Sequence, residues 1–429
     1  MKRRDFLASG ALLAGASTVP FSASAKEKKS RSKYADYSGV DAARAKPVLK
    51  REFFPDPVII ESVELLRKEN NFICRVRSKD GAEGISIGHP FISKQGYPMF
   101  KFAIQRWFVG KDARDLDQIL YHAAEQNEKK QGVPMNVQLA TLEFAVLDML
   151  GNIADKPLGA LIGDICNPNI AIYLGTLYRQ LRDLEPEVSL EMMAKQVEET
   201  HAKAVKLRCG SANNLGDDKD NAPGRTEKLI RMGREKFGDE MVLMMDANWS
   251  YSPKEAIRIG RLLEEYNYYF YEEPLPWNWY EEQKIVCDAL DINMAGGEVE
   301  ANMHQMRWLI ANDVWDIIQP DIFYFGGMIR SMQVANMAAA KGKIVLPHMS
   351  SGGLGYLYML QFVSACKNAG PFHEFKLFAT KDANGTLIPI ESKDDPIKST
   401  DGVVNVPTGS GIGVHIDPGY ISTHEVIYS

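Results

Sequence analysis

The sequence predicts an α/β protein, a (β/α)8-type barrel preceded by an antiparallel sheet and a helical segment. Three observations predict it. After residue 166 short apolar strands alternate with helical segments, the strands falling at Ile170 to Leu174, Ala204 to Arg208, Val242 to Asp246, Tyr269 to Glu272, Met294 to Ala295, Ile317 to Ile318, Ile344 to Leu346 and Phe372 to Phe375. Such an alternation over roughly 210 residues suits a closed parallel barrel better than an open Rossmann sheet. No dinucleotide fingerprint opens it: Gly409-Ser410-Gly411-Ile412-Gly413 lies near the C terminus with no helix expected after it and reads as a turn. Finally, one acidic or basic residue ends or follows each of six successive strands: Asp246, Glu272, Glu298, Asp321, His348 and Glu374.

The elements follow in order. Residues 1–25 read as an export signal, with Lys2, Arg3 and Arg4 before an apolar stretch from Phe6 to about Ala16, and the small-residue pattern Ala23-Ser24-Ala25 suited to cleavage. Arg3-Arg4-Asp5-Phe6-Leu7 resembles the twin-arginine export pattern, which places the mature chain outside the cytoplasm, in the periplasm, with no membrane anchor after cleavage. Residues 26–46, rich in Lys, Ser and Ala, read as a linker. From Pro47 to Lys79 the pattern is strand-like, and Asp80-Gly81 precedes a further short strand at Gly84 to Gly88. Over 111–165 the character turns helical, with Leu139, Leu142, Phe144, Ala145, Leu147 and Leu150 at helical spacing and Gly163 closing the stretch. The barrel is expected over 166–377, and 378–429 forms a C-terminal segment.

Composition narrows the function. The 429 residues are 45% apolar and carry a formal charge of −6. With a pI near 5.9 and no long basic run, there is no electrostatic footprint for nucleic acid, and the expected partner is a small molecule. Five cysteines, at 74, 166, 209, 287 and 366, form no CxxC pair and read as core thiols.

The six polar residues are spaced by 26, 26, 23, 27 and 26 positions. Parallel barrel strands all end at one mouth, so this spacing gathers the six at a single site. A single acid after a strand is ordinarily a helix cap or a solvated loop residue; six in register are not so readily explained. Asp246, Glu272 and Glu298 are consecutive carboxylates whose mutual repulsion a hard divalent cation with oxygen ligands relieves, and Mg²⁺ is the natural candidate. Zn²⁺ is disfavoured because no His or Cys joins the trio.

These residues resemble the enolase superfamily, and within it the mandelate racemase-like branch. Asp246-Ala247-Asn248, Glu272-Glu273-Pro274 and Gly297-Glu298 are similar to its three metal-ligand motifs; Gln319-Pro320-Asp321, Gly326-Gly327, Pro347-His348 and His373-Glu374-Phe375 are similar to its later strands. Met135 to Gly163, with Glu143 and Asp148-Met149-Leu150-Gly151-Asn152, looks like the helical part of the family's α+β capping domain. The resemblance therefore implies a modified TIM-type barrel, a capping domain over 47–165 to which 378–429 returns, and a homo-oligomer. It implies that Asp246, Glu272 and Glu298 hold Mg²⁺, that His348 is a general base oriented by Asp321, and that Glu374 hydrogen-bonds a substrate carboxylate.

One departure bears on the reaction. Residues two apart on a strand share a face, so Lys206 and Arg208 both point into the barrel, but Arg208 stands where the family usually has a second, catalytic lysine. Arginine stays protonated and makes a poor base, so Arg208 reads as a charge clamp and Lys206 as its electrostatic partner or a substitute base. With one secure base, the expected reaction is loss of the β-hydroxyl from a sugar acid, giving a 2-keto-3-deoxy acid. The alternatives are a racemase, epimerase or cycloisomerase sharing the enediolate, and a binding protein that only chelates carboxylates. Candidates for a specificity lid are the loop 89–97, with His89, and the C-terminal return after Phe375. Asn248 is expected on the pleat face of Asp246, the insertion 211–225 with Asn213, Asp217, Asp218 and Asp220 reads as a substrate loop or a solvated surface, and Trp277-Asn278-Trp279-Tyr280 as a wall of the site or a subunit contact.

Overall fold

The computed structural model describes residues 35–175, 184–211, 215–375, 380–394 and 398–429. The export signal of residues 1–25, the linker up to residue 34 and Asn213 lie outside the described residues.

Alternating apolar residues fold the first sheet: β1 (Ile60–Lys68), β2 (Asn71–Ser78) and β3 (Glu83–Ile87) form an antiparallel meander. Glu69 and Gly81 take left-handed backbone at its two tight turns, φ 53° and 85°. The strand Glu425–Tyr428 adds antiparallel to the free edge of β1, with Leu66 opposite Val426. A long helix, α2 (Val133–Ala154), lies across the sheet. It is apolar on nearly every side and correspondingly buried. A Cβ at Gly84 of β3 would meet the Ala145 carbonyl at 2.1 Å, so glycine is what lets strand and helix backbones approach.

Part of the expected linker is helical. α1 (Ser38–Arg44) buries Val40 and Ala43 against the later helix α3 (Met328–Ala340), and Asp41 pairs with Arg307 at 2.5 and 2.6 Å. A Lys/Ser/Ala-rich composition conceals two apolar residues at helical spacing that have a tertiary partner.

Eight parallel strands then curl into the barrel: β4 (Asn169–Gly175), β5 (Ala204–Arg208), β6 (Val242–Asp246), β7 (Phe270–Glu272), β8 (Asn293–Gly296), β9 (Ile317–Ile318), β10 (Ile344–Val345) and β11 (His373–Phe375). Each pairs with its neighbour from β4 to β10, and β11 pairs with β4. The seam between β10 and β11 is stitched by the segment before β11: Val345 N–H donates to the Asn368 carbonyl and Gly370 N–H to that of Val345, both at 2.9 Å. One residue from each of β4 to β9, with Leu346 just past β10, builds an apolar layer of Tyr173, Ala204, Met244, Phe270, Ala295, Ile317 and Leu346.

The layer above it is polar for the same geometric reason. Lys206, Asp246 and Glu272 stand two residues after Ala204, Met244 and Phe270, so they share the inward face one step nearer the C-terminal rim. Four of the cysteines are buried as expected, but Cys166 is exposed, because it lies in the connection ahead of β4 and not on an inward face.

Candidate active site

The rim brings the sequence-predicted residues together. In register across neighbouring strands stand Arg208, Asp246 and Glu272, the last opposite Ala295 of β8. Glu298 lies two residues past β8, Asp321 three past β9 and His348 three past β10. Asp246 and Glu272 are fully buried, while Arg208 keeps 18% of its side-chain surface and His348 and Glu298 13% each, so the cluster is open to solvent at these three residues.

Charge pairing organises the cluster. Lys206 Nζ donates to both Glu272 oxygens, at 2.6 and 2.8 Å, and lies 4.0 Å from Asp246. Burial presses the ammonium to deprotonate, but Glu272 and the neighbouring carboxylates outweigh it and hold Lys206 protonated. Burial raises Glu272 above the ordinary carboxylate range, with Asp246 and Glu298 adding to the rise and Lys206 opposing it. Arg208 Nε lies 3.4 Å from Asp246 Oδ2, and its Nη1 donates to Asn248 Oδ1 at 2.7 Å.

His348 Nδ1 sits 3.0 Å from Asp321 Oδ2, and its Nε2 lies 3.4 Å from Glu298. Burial disfavours the imidazolium, but Glu298 and Asp321 prevail and raise the pKa to about 9. Asp321 Oδ2 also accepts from the Ser350 N–H at 2.8 Å, and Oδ1 from the N–H groups of Phe323 and Tyr324. Burial alone would raise the Asp321 pKa, but these bonds and His348 hold it below the usual carboxylate value.

Glu374 accepts from Met349 N–H at 3.2 Å, and a Cβ at Gly175 would come within 2.9 Å of its carboxylate, so that glycine makes its room.

A family model described as enolase C-terminal domain-like matches residues 189–420, more than half of the chain. The chain belongs to the enolase superfamily. Within the superfamily the likeness is to the mandelate racemase and muconate lactonizing branch. A D-galactarolactone cycloisomerase of Agrobacterium fabrum is 26% identical over 321 residues, covering 73% of this chain and 81% of that protein. An L-talarate/galactarate dehydratase of Salmonella typhimurium is 28% identical over 283 residues, covering 65% and 67%. In fold, the chain is similar to a mandelate racemase/muconate lactonizing protein from Paracoccus denitrificans, with a TM-score of 0.74 at 23% identity, covering 86% of this chain and 99% of that one.

Asp246, Glu272 and Glu298 belong to a cluster of acidic and basic side chains at the rim. Among the described residues no three His, Cys, Asp or Glu side chains are set around one point closely enough to hold a metal ion. Glu272 turns to Lys206, Asp246 to Arg208 and Glu298 to His348. The donor set nevertheless fits a hard cation: all three are oxygen ligands, and Asp246 Oδ2 is buried with no hydrogen-bond partner.

Several expected specificity residues sit differently. Asn248 does not continue the β6 pleat, because β6 ends at Asp246; Asn248 takes φ 39°, and its N–H donates to Asp246 Oδ1 at 2.9 Å. His89 is not solvated, being buried against Phe323 and Tyr324 with Nε2 3.0 Å from Ser350 Oγ. Residues 93–97 of the expected specificity loop 89–97 are helical, part of Ser93–Met99. The described part of the insertion 211–225 is pinned down: Asp218 accepts from Ser252 N–H at 2.5 Å and Asp220 from Thr226 N–H at 2.6 Å. Trp279 packs where a Cβ on Gly216 would come within 3.0 Å of its ring.

Sequence reasoning missed three residues of the cluster. Gln319 Nε2 donates to Glu272 Oε2 at 2.8 Å. Glu273, fully buried, accepts from Trp249 Nε1 at 2.5 Å, joining the loops after β6 and β7. Ser350 completes the Asp321 shell. Gln319 stands two before Asp321 and Ser350 two after His348, so spacing was the available signal.

Proposed function

We propose that the chain is a Mg²⁺-dependent sugar-acid dehydratase, which removes the α-proton of a hydroxy acid and expels the β-hydroxyl to give a 2-keto-3-deoxy acid. The observation that carries this reading is the His348–Asp321 pair at 3.0 Å beside the acidic cluster, with Lys206 and Arg208 in the same rim. Its support from relatives is the dehydratase and cycloisomerase names of the proteins above.

Asp321 commits His348 Nδ1, which leaves Nε2 facing the cluster; Glu298 is the charge that most favours the imidazolium, so Nε2 serves as the base in the form in which that carboxylate is neutralised. The C–H bond breaks toward Nε2 and its electron pair passes into the carboxylate, creating an enediolate. Asp246, Glu272 and Glu298 would hold Mg²⁺, whose charge lowers the cost of that second negative oxygen when it is bound. Arg208, held protonated against burial by Asp246 and Glu298, serves as a fixed positive group. The β C–O bond then breaks, the His348 imidazolium returns its proton to the departing oxygen, and the enol product tautomerises to the keto acid. Lys206 acts as a cation, because its proton is tied to Glu272. That leaves one base, which is enough for dehydration.

A second reading, a cycloisomerase working through the same enediolate, is supported by the Agrobacterium relative. Incubating the mature protein with aldonic, uronic and aldaric acids, Mg²⁺ and D₂O separates the two. Keto-acid formation with loss of water supports dehydration, an isomeric product of unchanged composition supports the second reading, and neither product with any acid defeats both. The arginine pair at residues 3 and 4 supports an exported enzyme, which cell fractionation checks.

A further inference from the structure

The capping loop reaches the proposed base through two residues that the mechanism above does not use. The N–H groups of Phe91 and Ile92 both donate to His89 Nδ1, each at 3.2 Å. A ring nitrogen that accepts carries no proton, so the neutral His89 ring bears its hydrogen on Nε2. That Nε2–H points at Ser350 Oγ, 3.0 Å away, which makes the serine oxygen the acceptor. A hydroxyl has one proton to give, and here it is not given to His89. Among the described residues Ser350 Oγ has no other hydrogen-bond partner, and Ser350 is only half-buried. Its own N–H is fixed on Asp321 Oδ2 at 2.8 Å, so the hydroxyl stands beside the His348–Asp321 pair on the open side of the cluster.

We propose that Ser350 is a substrate-binding hydrogen-bond donor, its proton left for an oxygen of the acid because His89 donates to the hydroxyl and takes no proton from it. The inference rests on the reading of this rim as the place where a hydroxy acid binds. His89 is then a positioning residue that never touches substrate. Its ring is clamped by Phe323 and Tyr324 at centroid distances of 5.3 and 5.5 Å, and Tyr324 also packs against His348, at 6.4 Å.

The test uses the full mature chain. Ser350→Ala keeps the backbone bond to Asp321, so its effect reports the hydroxyl alone. With tartronate and Mg²⁺ in a calorimeter, Ser350→Ala should bind about tenfold more weakly than wild type while Ser350→Thr stays within about threefold. In turnover of whichever acid the screen identifies, Ser350→Ala should raise KM more than it lowers kcat. Histidine-selective ¹⁵N spectra should show His89 with Nδ1 unprotonated in wild type and in Ser350→Ala. Unchanged tartronate affinity in Ser350→Ala, no tartronate binding to wild type, or a protonated Nδ1 overturns the proposal. Tartronate binding that depends on Ser350, in a protein that turns over no acid, would instead uphold it and remove the dehydratase reading.

Discussion

Glu143 of the capping helix α2 accepts the backbone N–H of Met328, the first residue of the barrel helix α3, at 2.6 Å. Its second oxygen accepts from Ile329 N–H at 2.8 Å. A carboxylate from one layer thus caps a helix of the other, satisfying two N–H groups that no intrahelical carbonyl can reach. Burial pushes Glu143 up to about 8, with the two N–H groups opposing.

Gly327 is the residue this contact cannot spare. It takes φ 117°, and a Cβ there would lie 1.9 Å from Glu143 Oε2. Gly327→Ala should therefore destabilise the protein by about 3 kcal/mol or more, combining backbone strain with displacement of the cap. Urea unfolding of the variant checks it, and a midpoint equal to wild type would show that the cap is not rigid.

His348→Asn should lower α-proton exchange and turnover by about a thousandfold, because Asn cannot take a proton. The variant should still bind Mg²⁺, since none of the three carboxylates is altered. Deuterium incorporation followed by mass spectrometry, with metal titration alongside, reads both halves. Retained exchange would move the base elsewhere.

Mg²⁺ should stabilise the folded chain by mass action, by about 2.7 kcal/mol at a hundredfold excess over its Kd. EDTA should reverse the effect, and Asp246→Asn or Glu298→Gln should abolish it. Differential scanning calorimetry with and without the ion makes the measurement. A shift that survives in both variants would place the ion at another site.

His373 at the start of β11 is buried, and its Nε2 donates to the Gly370 carbonyl at 3.0 Å. Burial lowers its pKa to about 4. Unfolded histidine titrates near 6.5, so between these values the unfolded chain binds more protons. The contribution is therefore fully present above pH 6.5 and lost as the pH falls toward 4, about 3 kcal/mol in all. His373→Gln, which keeps a donor for Gly370, should show a shallower acid loss of stability. Parallel denaturant titrations from pH 4 to 7 test this, and identical slopes would contradict it.

Much of the fold was legible because it rests on local periodicity. Eight apolar runs marked the barrel strands to within about two residues at either end, and the two-residue pleat set Lys206 and Arg208 inward together. Regular spacing of Asp246, Glu272, Glu298, Asp321, His348 and Glu374 then placed them on one rim, since parallel strands share a direction. The helix at Ser38–Arg44 was hidden by a linker-like composition, and the left-handed turn at Asn248 by the assumption that β6 runs on.

What the sequence by itself determined was which residues share a face and an end of the barrel, because alternation and strand direction act over a few neighbouring residues. Only the tertiary structure decided who pairs with whom: Lys206 with Glu272, His89 with Ser350, Glu143 with the start of α3. These partners lie far apart in the chain, and their choice depends on burial, which makes each lone charge or N–H costly until a specific distant group meets it.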